Sequence, residues 1–133
     1  MFGIHYYFNL MENFTYTFDE KTGILFKNYF GIITIEDIRS SWIYAFENHI
    51  IPANIKGFIL DYRKATFEMT LDENIEISKF YQQYIHVFRN FKIAILTQNH
   101  KDIVIPILVK RNDDGYQSEP FSTLDAAMKW ILG

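Results

Sequence analysis

A chain of 133 residues with no cysteine and a formal charge of −3 is enough for one domain that buries roughly two thirds of the surface its unfolded form exposes. The missing thiols exclude cysteine catalysis, a disulfide framework and cysteine-based zinc sites, and suit a reducing, cytoplasmic setting. Its 13 Lys and Arg residues are scattered, which excludes the electrostatic footprint of a nucleic-acid binder, and no window approaches the roughly 18 apolar residues of a membrane span.

Residues 1–12 are apolar and aromatic but lack the basic start, long apolar core and small-residue cleavage site of a signal peptide. They form an N-terminal extension to a single domain spanning residues 13–133. Either they cover their own sheet edge as an added strand, or Tyr6, Tyr7 and Phe8 pack on a second copy in a homodimer. Asn13 to Asp19 alternates, with Phe14, Tyr16 and Phe18 on one face and Thr15 and Thr17 on the other, the period of a half-buried strand. Asp19 to Gly23 is a turn. Ile24 to Phe30 is the second arm of the hairpin, with Leu25, Lys27 and Tyr29 opposite Ile24, Phe26 and Phe30.

Thr34-Ile-Glu-Asp37 opens the first helix as a capping box in which Asp replaces the usual Glu or Gln. Ile35, Ile38, Trp42 and Ala45 then supply its inward stripe. The central stretch is Lys56 to Lys64, whose apolar run Phe58-Ile-Leu60 suits a strand buried on both faces. Arg63 to Leu71 is predicted to be a long loop, the kind of segment that carries sites. Thr70 to Glu73 caps a second helix whose apolar residues run from Ile77 to Phe88 at helical spacing. Ile93-Ala-Ile-Leu96 is a further buried strand, and Asn99 or Asp102 is placed to cap a third helix that contains Pro106. A short edge strand broken by Pro120 and a final helix capped at Ser122 or Thr123 complete the chain.

This order predicts an α/β fold, a mixed, mainly parallel sheet of about five strands that begins with an N-terminal hairpin and is flanked by four helices. The succession Phe14-Thr-Tyr-Thr-Phe-Asp19, Gly31-Ile-Ile-Thr34, Phe58-Ile-Leu-Asp61-Tyr-Arg63, Ala94-Ile-Leu-Thr97 and Phe121-Ser-Thr-Leu-Asp-Ala-Ala-Met-Lys-Trp130 resembles the STAS-like (SpoIIAA-like) family of small bacterial domains. The resemblance implies a fold similar to anti-sigma-factor antagonists and to the lipid-binding Sec14 class, and it does not imply an enzyme. Phosphorylated antagonists carry an Asp-Ser pair where the central strand meets the second helix, whereas this chain has Asp61-Tyr62-Arg63. Thr66 and Thr70 are the hydroxyls left in that segment, and Thr70 serves as a helix cap.

Asp61 and Arg63 share a strand face about 7 Å apart, and are read either as a structural ion pair or as joint contacts to a polar ligand. Thr97, Asn99 and His100 end the neighbouring strand and extend this polar rim, while Thr66, Phe67 and Met69 come from the long loop. The histidines show no metal-ligand spacing, and no nucleophile elbow, phosphate loop or dinucleotide fingerprint is present. No metal, cofactor or catalytic residue is therefore assigned. Aromatics at 18% of the chain, 13 Phe and 9 Tyr, either fill a ring-rich core or line a pocket or subunit contact. Two functional readings follow. One is a non-catalytic module that docks a protein partner or itself through the first two helices and the long loop. The other is a carrier of an apolar, lipid-like molecule held between the second or third helix and the sheet.

Overall fold

The structure, a computed structural model, describes residues 4–8 by their backbone and residues 13–133 in full. The side chains of Tyr6, Tyr7 and Phe8, and with them the expected subunit contact, lie outside the described residues. Six strands form one mixed sheet in chain order: β1 (Ile4–Phe8), β2 (Phe14–Asp19), β3 (Ile24–Ile33), β4 (Gly57–Phe67), β5 (Lys92–Leu96) and β6 (Gln117–Phe121). β1 to β3 are antiparallel neighbours, and β3 to β6 run parallel. The helices are α1 (Ile35–Glu47), α2 (Asn74–Gln83), α3 (Ile85–Phe88), α4 (Val104–Lys110) and α5 (Leu124–Leu132).

The helices divide unequally between the two sheet faces. Ile38 and Trp42 of α1, Ile77 and Phe80 of α2, Phe88 of α3, and Ile105 and Val109 of α4 pack in one cluster with Tyr16, Leu25, Phe58, Leu60 and Ile93. On the other face α5 alone supplies Ala127 and Ile131 against Ile24, Ile59, Ala94 and Leu96. That second contact is close. A Cβ added to Gly57 would lie 2.6 Å from Ile131 Cγ2 and 3.1 Å from the Lys92 carbonyl, so a side chain there would push α5 off the sheet. α5 thus covers the β4–β6 half, and on the β2–β4 side Thr15, Thr17, Asn28, Asp61 and Arg63 line an open depression of ≈ 250 Å³.

Local chemistry sets the helix starts. Thr34 Oγ1 accepts from Asp37 N at 3.2 Å while Asp37 Oδ2 accepts from Thr34 N at 2.8 Å, satisfying two end amides. Thr123 Oγ1 accepts from Ala126 N at 3.2 Å and caps α5. Pro106 is the third residue of α4, where no helical hydrogen bond is asked of its nitrogen.

Two expectations are corrected. The predicted loop from Arg63 to Leu71 is strand through Phe67, because β3 shifts register between Asn28 and Phe30 and then runs beside β4, Phe30 with Lys64 through to Ile33 with Phe67. The ladder holds these polar residues extended where composition suggested a loop. The single second helix is a 3₁₀ turn (Leu71–Glu73), α2 and α3, broken at Tyr84 with φ −110° and ψ 33°. Apolar spacing continues across the break to the fully buried Phe88, so periodicity alone reads one helix.

Candidate functional site

The expected site residues divide among three places. Asp61 and Arg63 form a two-pronged ion pair, with Arg63 Nη2 donating to Asp61 Oδ2 at 2.8 Å and Nε to Oδ1 at 3.0 Å. The pair lies mid-strand on the face that α5 leaves uncovered. Planar guanidinium matched to carboxylate in this way leaves both charges satisfied within one strand, and hydrogen bonding to Asp61 raises the Arg63 pKa further. Asn28 Nδ2, in the adjacent register position, donates to Thr15 Oγ1 and Thr17 Oγ1 at 3.2 Å each. The floor of this depression is a ladder of hydrogen bonds already made between its own side chains.

Thr66 and Phe67 belong to a different arrangement. Asp102 Oδ1 accepts from Thr66 Oγ1 at 3.1 Å and from Phe67 N at 3.3 Å. Asp102, expected as a cap for the third helix, is instead buried at 2% exposure and ties the β5–α4 connection to the end of β4. A carboxylate accepting a backbone amide and a hydroxyl is a firm anchor, and its Oδ2 is buried without a partner. Thr66 is thereby committed to structure. Thr70 donates through its own N and Oγ1 to Glu73 Oε1, at 2.8 Å and 3.3 Å, at the start of the 3₁₀ turn, and Met69 packs half-buried against the core.

Thr97 is buried, and its Oγ1 accepts from Asn99 N at 3.4 Å, while Asn99 Oδ1 accepts from Lys101 N at 3.0 Å. Asn99 and His100 are exposed on this turn. The register places Leu96 beside Asp61, so the ion pair and the Thr97 turn adjoin along the strands. Among the described residues no group of three or more His, Asp or Glu side chains could hold a metal ion, and no helix is long and apolar enough to cross a membrane.

The most unusual side chain is one that sequence reading did not single out. Lys27 of β3 is 1% exposed, and its Nζ has no hydrogen-bond partner. Nζ lies 3.9 Å from the Trp42 ring centroid, 4.8 Å from Tyr29 and 5.7 Å from Tyr16. Burial lowers its pKa well below the ordinary lysine value, because an ammonium ion loses its hydration there and finds no carboxylate in exchange. Around it Tyr16 OH donates to Ser41 O at 2.6 Å, and Tyr29 stacks on Tyr62 at 4.3 Å. Burial also pushes the phenols of Tyr16, Tyr62 and Tyr81 well above their usual pKa, with mutual repulsion adding to it. The alternation of Leu25, Lys27 and Tyr29 carried the signal, since it placed the lysine on a shared face. What hid it is that local pattern does not say which face the helices cover.

Three openings lie near these groups. A void of ≈ 20 Å³ sits between the sheet and α1, α2 and α4, bounded by Leu60, Tyr62, Tyr81, Ile105 and Pro106 among others. A groove of ≈ 560 Å³ runs between α1 and α2, where Phe14, Ile43, Tyr44, Phe80 and Tyr84 meet the charged residues Glu36, Arg39 and Glu47. The third is the open depression over Asp61 and Arg63.

No family model matches the chain, and no curated protein matches it. Among solved structures, it is similar to an uncharacterised protein of the DUF3478 family with a SpoIIAA-like fold from Shewanella loihica PV-4, with a TM-score of 0.54 and 17% identity over 96% of this chain and 91% of that one. The fold is therefore SpoIIAA-like, as the resemblance implied. Identity at this level speaks to the fold alone.

Proposed function

We propose that the chain is a non-catalytic interaction module that receives a partner segment with an apolar face and a basic flank in the groove between α1 and α2. The observation that carries this reading is the groove itself. Its floor is aromatic and aliphatic, with Ile43, Tyr44 and Tyr84 half-buried, and its rim holds Glu36 and Glu47. Arg39, the one cation among the groove residues, is engaged by Glu76 at 2.9 Å and Glu36 at 3.8 Å, so the rim favours a positively charged visitor. An amphipathic helix laid into such a groove uses a common mode of peptide recognition.

The carrier reading has weaker support. A void of ≈ 20 Å³ has room for about one water molecule, so a lipid-sized guest would require α4 to leave the sheet. Titration with a synthetic Lys/Leu-patterned amphipathic helix tests the proposal. Saturable binding that weakens roughly tenfold in a Glu36→Lys, Glu47→Lys double variant, and falls with added salt, supports it. No binding, or binding indifferent to the reversal, overturns it. Light scattering on the free protein covers the alternative occupant, because a stable dimer dispersed by Tyr44→Glu would assign the groove to a second copy.

A further inference from the structure

β4 carries one residue more than β3 at the point where their register shifts. Asn28 pairs with Asp61 and Phe30 with Lys64, so Tyr29 faces both Tyr62 and Arg63, which makes a β-bulge in β4. Strict alternation from Asp61 and Arg63 would turn Lys64 to the helix-covered face, where Tyr62 lies stacked on Tyr29. The extra residue brings Lys64 to the open face instead. Arg63 and Lys64, adjacent in sequence, therefore both line the depression of ≈ 250 Å³.

The side chains there keep bonding capacity beyond their internal contacts. Arg63 spends Nε–H and an N–H of Nη2 on Asp61, which leaves the other N–H groups of the guanidinium to donate. Thr15 and Thr17 Oγ1 accept from Asn28, so their hydroxyl hydrogens remain to donate as well. Lys64 is exposed and has no ion-pair partner among the described residues. What is unspent is mainly donors. Charge narrows the ligand further. Asp61 and Arg63 cancel, and Lys64 is the unmatched charge among the described residues of the lining. That balance suits a monoanion, whereas a dianion would meet the Asp61 carboxylate with part of its charge unanswered. Phe30, the register partner of Lys64, is 37% exposed and sets an apolar ring at the rim.

We propose that this depression is a binding site for small aromatic carboxylates, with Lys64 and the unspent edge of the Arg63 guanidinium holding the carboxylate and the ring lying against Phe30. A guanidinium edge matches the two oxygens of a carboxylate, and the ammonium of Lys64 supplies the countercharge. Size fits the same class. Pockets for drug-sized molecules run to about 300–1,000 Å³, so ≈ 250 Å³ takes a compound of a single ring. The site lies on the sheet face away from α1 and α2 and shares no lining residue with the groove between them, so it stands independently of the interaction reading.

The test follows the backbone amide shifts of the intact protein by NMR during titration with benzoate at neutral pH. The expected result is saturable binding with a Kd on the order of 1 mM, its shifts centred on Thr15 to Thr17, Asn28 to Phe30 and Asp61 to Lys64. Benzamide keeps the shape without the charge, and acetate keeps the charge without the ring. Each should bind at least about tenfold more weakly than benzoate, and phenyl phosphate should bind no more tightly. Lys64→Met, a change at an exposed position, should weaken benzoate at least about fivefold. Shifts that fail to saturate by about 50 mM, or that centre elsewhere, overturn the proposal. So does equal binding of benzamide or of acetate. Tighter binding of phenyl phosphate overturns the ligand class, and a benzoate affinity unchanged in Lys64→Met overturns the site. The ligand series on the wild-type protein stands as a test even where that variant folds poorly.

Discussion

The two faces of the sheet obey different physics. Under α1 to α4 the rings interlock. Trp42, fully buried, meets Phe58 at 5.6 Å and Phe88 at 5.0 Å, both edge-on, and lies within 6.5 Å of Tyr81. On the face left open beyond α5, the side chains satisfy one another in view of solvent, as in the Asp61–Arg63 pair and the Asn28 bridge to Thr15 and Thr17. Burial makes each contact on the first face expensive to disturb, whereas water can replace most of what is lost on the second. The aromatic surplus therefore belongs largely to the core. The same low-polarity environment that gains from rings isolates the amine of Lys27.

The largest effect should come from Trp42→Ala, which removes the ring on which both the aromatic cluster and the Lys27 amine rest. A loss of about 3–5 kcal/mol is expected in urea unfolding, and a loss under about 1 kcal/mol would mean that the helix-covered face is less tightly packed than its geometry says. Lys27→Met comes next and carries the opposite sign, a gain of about 1–4 kcal/mol at neutral pH.

Its pH dependence sharpens the point. Because burial lowers the Lys27 pKa in the folded state below that of the unfolded chain, unfolding takes up a proton between the lowered folded pKa and about 10.4, so stability rises with pH across that window. The slope approaches about 1.4 kcal/mol per unit. Tyr16, Tyr62 and Tyr81 act the other way. Their folded pKa values are raised, so they stay protonated where the unfolded phenols ionise, and stability falls above about pH 10. Wild-type stability should therefore peak near pH 10, while Lys27→Met loses the rise and keeps the fall. Equal slopes in the two proteins from neutral pH to about pH 9.5 would show that the amine is charged in the fold.

Arg63→Ala on the open face should cost least, about 0–1 kcal/mol, because one partner of the pair is largely in water. A loss above about 2 kcal/mol would erase the distinction between the faces.

Much of this architecture was legible in the chain, for local reasons. Alternation at Phe14, Tyr16 and Phe18 needs only the period of a strand, and the stripe of Ile35, Ile38, Trp42 and Ala45 needs only the turn of a helix. Both sets are buried. The capping box at Thr34 and Asp37 involves residues three apart, and it forms as the spacing predicts. The candidate site was legible in its parts but not in its grouping. Asp61 and Arg63 share a strand and pair as the structural reading expected, but Thr66 is taken up by Asp102 from 36 residues away.

What only the tertiary structure decided are the consequences of partners distant in sequence. β4 continues through Arg63 to Phe67 because β3 runs alongside it, and a ladder partner outweighs the loop-like composition of that stretch. Asp102 faces β4 because the β5–α4 connection brings it there, although its spacing is that of a helix cap. Lys27 is the plainest case. Its sequence position fixes the face it shares with Leu25 and Tyr29, but burial depends on four helices drawn from later in the chain. The free energy of an amine is set by what surrounds it in space, and no window of residues around position 27 contains that information.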